Sequence, residues 1–90
     1  MLDLLIRGGT VVDGTGSAPY AADVAVENGR IVEVGTLPGA HARRIISADG
    51  KLVTPGFIDI HTHGAGGHDF MDGTVEAYLG AAQMHARHGT

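Results

Sequence analysis

The sequence predicts an α/β chain in two parts, a β-rich region over residues 1–54 and a strand, loop and helix over residues 55–90. Three observations carry this. Short runs of valine, isoleucine and leucine in the first part are separated by turn dipeptides. A dense run rich in β-branched residues, Phe57-Ile58-Asp59-Ile60-His61-Thr62-His63, follows Pro55-Gly56. Apolar residues at helical spacing then follow a capping signal near Thr74.

In chain order, Leu4-Leu5-Ile6 and Thr10-Val11-Val12 read as short strands on either side of Gly8-Gly9. The clearest local signal is Asp23-Val24-Ala25-Val26-Glu27, Asn28-Gly29, Arg30-Ile31-Val32-Glu33-Val34, because Asn-Gly readily supplies the two positive φ angles of a type I′ turn. A two-residue loop sets Val26 against Ile31 and Glu27 against Arg30, an apolar pair on one side and an opposite-charge pair on the other. Continued outward, that register brings Val24 against Glu33. Pro38-Gly39-Ala40 reads as a loop, and Asp49-Gly50 as the turn of a second hairpin joining Arg44-Ile45-Ile46-Ser47 to Lys51-Leu52-Val53.

From Pro55 the pattern changes. Phe57–His63 is too short for a helix and is read as a buried strand. The glycine-rich loop Gly64-Ala65-Gly66-Gly67 follows, and Thr74 is the expected N-cap of a helix whose apolar side is Val75, Tyr78, Leu79, Ala82 and Ala86. Glu76 in its first turn and His85, Arg87 and His88 in its last suit the helix dipole, and Gly89 is placed to end it.

At 90 residues the chain is within the size of one small domain with a modest core. It is 43% apolar and 18% charged, ordinary for a globular chain, and its formal charge of -4 argues against a nucleic-acid or anionic-membrane partner. No stretch approaches a membrane span, and the acid at Asp3 with no long apolar run after it argues against a secretion signal. Without cysteine there is no disulfide framework and no thiolate ligand, so a metal here is held by imidazole and carboxylate. That absence fits the cytoplasm.

The residues that carry chemistry are His61 and His63. Side chains two apart on a strand share a face, and their Cα atoms lie roughly 6 to 7 Å apart, a span two imidazoles close to hold one ion. Asp59 shares that face by parity and is a candidate to accept the second ring N–H of a ligating histidine, although a structural carboxylate bonded to nearby backbone explains it equally well. Gly66, Gly67 and His68 form a candidate substrate loop, since glycines admit close backbone approach to an anion; a plain tight connection is the simpler account. Capping or exposure accounts for His41, His85 and His88 better than ligation does.

Arg7-Gly8-Gly9-Thr10-Val11-Val12-Asp13-Gly14, then Asn28-Gly29-Arg30-Ile31, then Pro55-Gly56-Phe57-Ile58-Asp59-Ile60-His61-Thr62-His63 resembles the N-terminal signature of the amidohydrolase superfamily, over nearly the whole chain. The resemblance implies that the early strands belong to a small β-sandwich completed by the C-terminal end of the protein. It also implies that the run from Pro55 opens a metal-dependent (β/α)8 barrel. From Leu4 to about Gly35 the chain looks like N-acyl-D-amino-acid deacylases. From His61 through Gly64-Ala65-Gly66-Gly67-His68-Asp69-Phe70-Met71-Asp72-Gly73-Thr74 to His85-Ala86-Arg87-His88-Gly89-Thr90 it looks like N-acetylglucosamine-6-phosphate deacetylases, and this half borders the site.

The resemblance further implies hydrolysis of an N-acyl bond with one or two divalent ions, zinc or iron, held in part by His61 and His63. The substrate is then a small molecule, an amino-sugar phosphate or an N-acyl amino acid, and the complete protein a cytoplasmic homodimer. The remaining ligands and the catalytic aspartate fall on later strands, and none is present in these residues. A barrel of this kind needs roughly 250 residues, so the chain is expected to be a truncated or partial sequence, inactive alone. Two other readings stay open: a deacylase of N-acyl-D-amino acids or a cyclic amidohydrolase, and a non-catalytic β-rich module with incidental histidines.

Overall fold

The computed structural model describes residues 1–90 and divides into two compact units, Met1–Pro55 and Gly56–Thr90. Together they hold one five-stranded sheet, one two-stranded ladder and one α-helix, a mixed α/β chain.

The first unit contains β1 (Leu2–Val11), β2 (Tyr20–Glu27), β3 (Arg30–Gly35), β4 (Ala42–Ser47) and β5 (Leu52–Val53). The strand order is β3-β2-β1-β4, with β5 also pairing with β1. β1 is a single strand, where the sequence suggested two. Arg7-Gly8 is a bulge within it, opposite Asp23, and β2 pairs on both sides: Ile6 faces Val24 and Gly9 faces Ala22. Gly8 takes φ 77° there, and the Asp23 Oδ1 accepts its N–H at 2.8 Å. The extra residue switches the side-chain parity of β1, so Ile6 and Val11 both pack with Val24 in the core around Val11, Ala22 and Val24.

The Asn28-Gly29 turn forms as expected, with φ 53° and 74°, and it pairs Glu27 with Arg30 and Val26 with Ile31. The Asp3 Oδ2 secures it by accepting the Asn28 N–H at 2.7 Å. Further out the expected register is corrected. A shift between Ala25 and Val26 sets Ala25 against Glu33 and Val24 against Val34, which removes the unfavourable Val24–Glu33 pair.

The second hairpin does not form. β4 and β5 both run parallel to β1, with Leu5 facing Ile45 and Thr10 facing Leu52. Asp49-Gly50 is only a jog between two stretches of one edge, closed by Lys51 N–H to Ala48 O at 2.9 Å. The physical reason is the length of β1. Its ten residues offer ladder partners to both short strands, which a hairpin between them would have left unpaired. Ile6, Val11, Val24, Val26, Ile31, Val34 and Val53 line an open apolar hollow of about 300 Å³ on this sheet, and Ile31 is 66% exposed.

The second unit contains β6 (Gly64–Ala65), β7 (His68–Asp69), a 3-10 turn over Phe70–Asp72 and α1 (Val75–Arg87). The expected buried strand over Phe57–His63 is absent: no ladder includes these residues, and Ile58 and Ile60 are 91% and 96% exposed. β-branched composition favours a strand only where a neighbouring strand accepts its hydrogen bonds, and no segment of this chain pairs with it.

α1 follows the sequence closely at both ends. The Thr74 Oγ1 accepts the Ala77 N–H at 3.0 Å, and the other end closes through Gly89 N–H to Ala86 O and Thr90 N–H to His85 O, a Schellman motif with Gly89 at φ 91°. Its buried face is a correction. Ala77 and Ala81 are buried with Gly80, Met84 and His85 partly so, while Val75, Tyr78 and Leu79 are exposed. The β6–β7 ladder packs on α1 so closely that a Cβ at Gly80 would strike the His68 imidazole, and only small residues fit that approach.

Candidate metal centre

The segment that carries His61 and His63 is fixed by hydrogen bonds other than a strand ladder. Phe57 N–H donates to Gly89 O at 2.6 Å, His61 N–H to the Asp59 Oδ1 at 3.0 Å, and Phe70 N–H to His63 O at 2.7 Å. The two imidazole rings sit side by side, their centres 5.4 Å apart and their planes tilted by 53°. Both residues are exposed. Two imidazoles bound through nitrogen at about 2.0–2.1 Å to one tetrahedral ion have ring centres roughly 5 Å apart, close to the 5.4 Å of this pair. Imidazole suits zinc, iron, copper and nickel alike. No cluster of three or more His, Cys, Asp or Glu able to hold a metal exists in this chain, so the pair by itself does not complete a ligand set.

Asp59 acts on backbone here. Its carboxylate takes the His61 N–H, which fixes the turn into the histidine pair. Gly66 and Gly67, at φ 61° and 80°, form the two-residue turn of the β6–β7 hairpin, where both positions need a positive φ. His68 stands beside them, half-buried with its ring against Gly80. Asp69 caps the 3-10 turn, its Oδ1 accepting the Met71 N–H at 2.8 Å. His41 and His88 are exposed, and His88 caps the C-terminal end of α1.

His85 departs from its sequence reading. Its Nε2 lies 3.1 Å from the Thr62 Oγ1, between the two candidate ligands in sequence, and its ring stacks on Phe70 at 6.3 Å. The signal for it was the spacing Ala77, Ala81, His85, which marks the face of α1 that small residues allow to pack closely.

Two carboxylates of the first unit are shifted by their hydrogen bonds. The Thr15 hydroxyl and N–H hold Asp13 below the usual carboxylate range, aided by Ser17 and Tyr20. Desolvation and the Asp13 charge in turn push the Tyr20 phenol up. The N–H groups of Gly8 and then Leu37 hold Asp23 down, with the Arg7 charge adding to them. Arg7 itself donates to Leu37 O at 3.1 Å, so Asp23 and Arg7 together pin the loop after β3 to the β1 bulge.

Among sequences, N-acyl-D-glutamate deacylase of Alcaligenes xylosoxydans xylosoxydans is 48% identical over 62 residues, 69% of this chain and 13% of the relative. A solved structure of D-aminoacylase, described as defining a subset of amidohydrolases, is 51% identical over 70% of this chain and 13% of its own, with a TM-score of 0.66. The chain belongs to the amidohydrolase family. It spans about 13% of the length of the curated amidohydrolase relatives it matches. No family model matches it.

Two further amidohydrolase structures bear on the site. N-acyl-D-glutamate deacylase of Bordetella bronchiseptica, complexed with zinc and a phosphonate mimic of the tetrahedral intermediate, is 48% identical over 69% of this chain and 13% of its own, with a TM-score of 0.66. N-acetyl-D-glucosamine-6-phosphate deacetylase of Mycobacterium smegmatis is 34% identical, covering 97% of this chain and 24% of its own, with a TM-score of 0.76. The latter match therefore takes in both units.

Proposed function

We propose that this chain supplies His61 and His63 to the metal site of an enzyme that hydrolyses an N-acyl bond, with N-acetyl-D-glucosamine 6-phosphate as substrate. The observation that carries the substrate is the M. smegmatis deacetylase match, which extends over 97% of the chain and so includes the histidine pair and the hairpin and helix after it. The early strands then form part of a small β-sandwich, and Phe57–His63 becomes the first strand of a (β/α)8 barrel once neighbouring strands supply its ladder.

A divalent ion, when bound, polarises the amide carbonyl and lowers the pKa of a water that attacks it. The neighbour complexed with zinc supports zinc as that ion. The part of this chain is to hold and orient: the His61 and His63 rings lie side by side, and Asp59 fixes the backbone of His61. The remaining ligands come from residues outside these ninety. Gly66 and Gly67 form the turn, and His68 starts the return strand, of the hairpin that follows the pair, which suits a wall of the substrate site. The complete protein is then a cytoplasmic enzyme acting on a small molecule as a homodimer.

A second reading, a deacylase of N-acyl-D-amino acids, is favoured by the higher identity of the N-acyl-D-glutamate deacylase and D-aminoacylase matches. Expression of the full reading frame that contains this chain separates the two. Acetate release from N-acetyl-D-glucosamine 6-phosphate, with little turnover of N-acetyl-D-glutamate, supports the first reading. The reverse preference replaces it with the second, and turnover of neither sinks both.

A further inference from the structure

Metal ligands must be held within about 0.5 Å of their binding geometry, and side-chain hydrogen bonds hold them in addition to any backbone ladder. Thr62 provides another anchor. Its hydroxyl lies 3.3 Å from both the N and the O of Gly64 and 3.1 Å from the His85 Nε2. A hydroxyl has one proton and two acceptor positions. Donating to Gly64 O while accepting from Gly64 N–H and from a His85 Nε2–H uses all three.

His85 is itself well placed to serve as a fixed point. It lies on the packed face of α1, four residues after buried Ala81, and its carbonyl accepts the Thr90 N–H in the helix-ending motif. Its ring stacks on Phe70 with planes 23° apart, and Phe70 stacks on Tyr78 at 5.8 Å. Phe70 also donates its N–H to His63 O. The segment is thus tied to α1 at Thr62, through His85, and at His63, through Phe70.

We propose that His85 is a positioning residue for the His61–His63 pair, acting through the Thr62 hydroxyl to fix the backbone from which both imidazoles project. The proposal rests on reading that pair as metal ligands. It requires His85 to carry its proton on Nε2, so glutamine, whose side-chain amide can present a donor at that reach, should replace it. Leucine fills the space without a donor.

The test uses the full reading frame that contains this chain, with His85→Leu, His85→Gln and Thr62→Val, and two readouts. One is amide hydrogen exchange over His61–Gly64 without metal, and the other is the affinity for cobalt(II) followed by its visible spectrum. His85→Leu is expected to speed exchange and weaken cobalt binding about tenfold, as loss of a residue that orients a ligand does, with His85→Gln restoring most of both. Thr62→Val should reproduce His85→Leu, and the double variant should lose nothing more.

Wild-type exchange and cobalt affinity in His85→Leu, or equal impairment in His85→Gln, would overturn the proposal. Should His85→Leu fail to fold, Thr62→Val, which leaves the packed helix face intact, decides by the same criteria. A His61→Ala control separates the two ideas. If cobalt binding ignores that change, the metal reading falls, and the exchange measurement alone decides the positioning role.

Discussion

In Met1–Pro55 the central strand β1 is hydrogen-bonded along both edges, to β2 on one side and to β4 and β5 on the other. In Gly56–Thr90 the only ladder joins two strands of two residues each, and outside the backbone bonds of α1 the rest is held by helix caps, a close-packed glycine and a few isolated backbone and side-chain hydrogen bonds. The first arrangement spreads its stability over many backbone bonds. The second concentrates it, outside α1, in a few residues, and the candidate metal pair lies in that part. A single substitution should therefore do more damage in the second unit than in the first.

Gly64→Ala is the strongest way to break the contrast. At φ 152° a side chain is strained, and a Cβ there would strike the His68 carbonyl and come within 2.8 Å of the Asp69 Cα, both backbone positions that cannot turn aside. The expected loss is about 1–3 kcal/mol, read by chemical denaturation, with the disturbance confined to Gly56–Thr90 by amide exchange. Thr74→Ala comes next. It removes the acceptor for the Ala77 N–H and should cost about 1 kcal/mol, with reduced helical circular dichroism.

The smallest effect is expected in the first unit, in how its stability changes as the pH is lowered. The folded pKa of Asp23 lies below its unfolded one, chiefly through the Gly8 and Leu37 N–H groups. Its stabilising contribution is whole above the ordinary carboxylate range and is lost as pH falls through the lowered folded value. Asp23→Asn should flatten that acid decline in a denaturation series while leaving the strand pairing of β1 unchanged. A large loss of sheet structure near neutral pH would show that this unit, too, depends on single residues.

The same contrast explains what could be read from the sequence. Features set within a few residues were legible: the Asn28-Gly29 turn with its two flanking pairs, the Thr74 cap and the Gly89 stop. Features set by a partner elsewhere were not. Asp49-Gly50 does turn, but whether β4 and β5 pair with each other or with β1 depends on the length of β1, which Gly8-Gly9 disguised as a break. Phe57–His63 has the composition of a strand and no neighbour to make it one. On α1 the larger apolar residues drew the eye, whereas the tight approach of the β6–β7 hairpin selected the alanine face. The rings of His61 and His63 are neighbours without the expected strand to set them on one face, and the hydrogen bond of Asp59 to backbone and that of His85 to Thr62 could be found only in three dimensions.

The central claim is that His61 and His63 together bind a divalent metal, and zinc titration of the full reading frame by calorimetry tests it most directly. The account predicts stoichiometric zinc binding that weakens at least about tenfold in both His61→Ala and His63→Ala, each still folded by circular dichroism. Zinc affinity unchanged in both folded variants would contradict it.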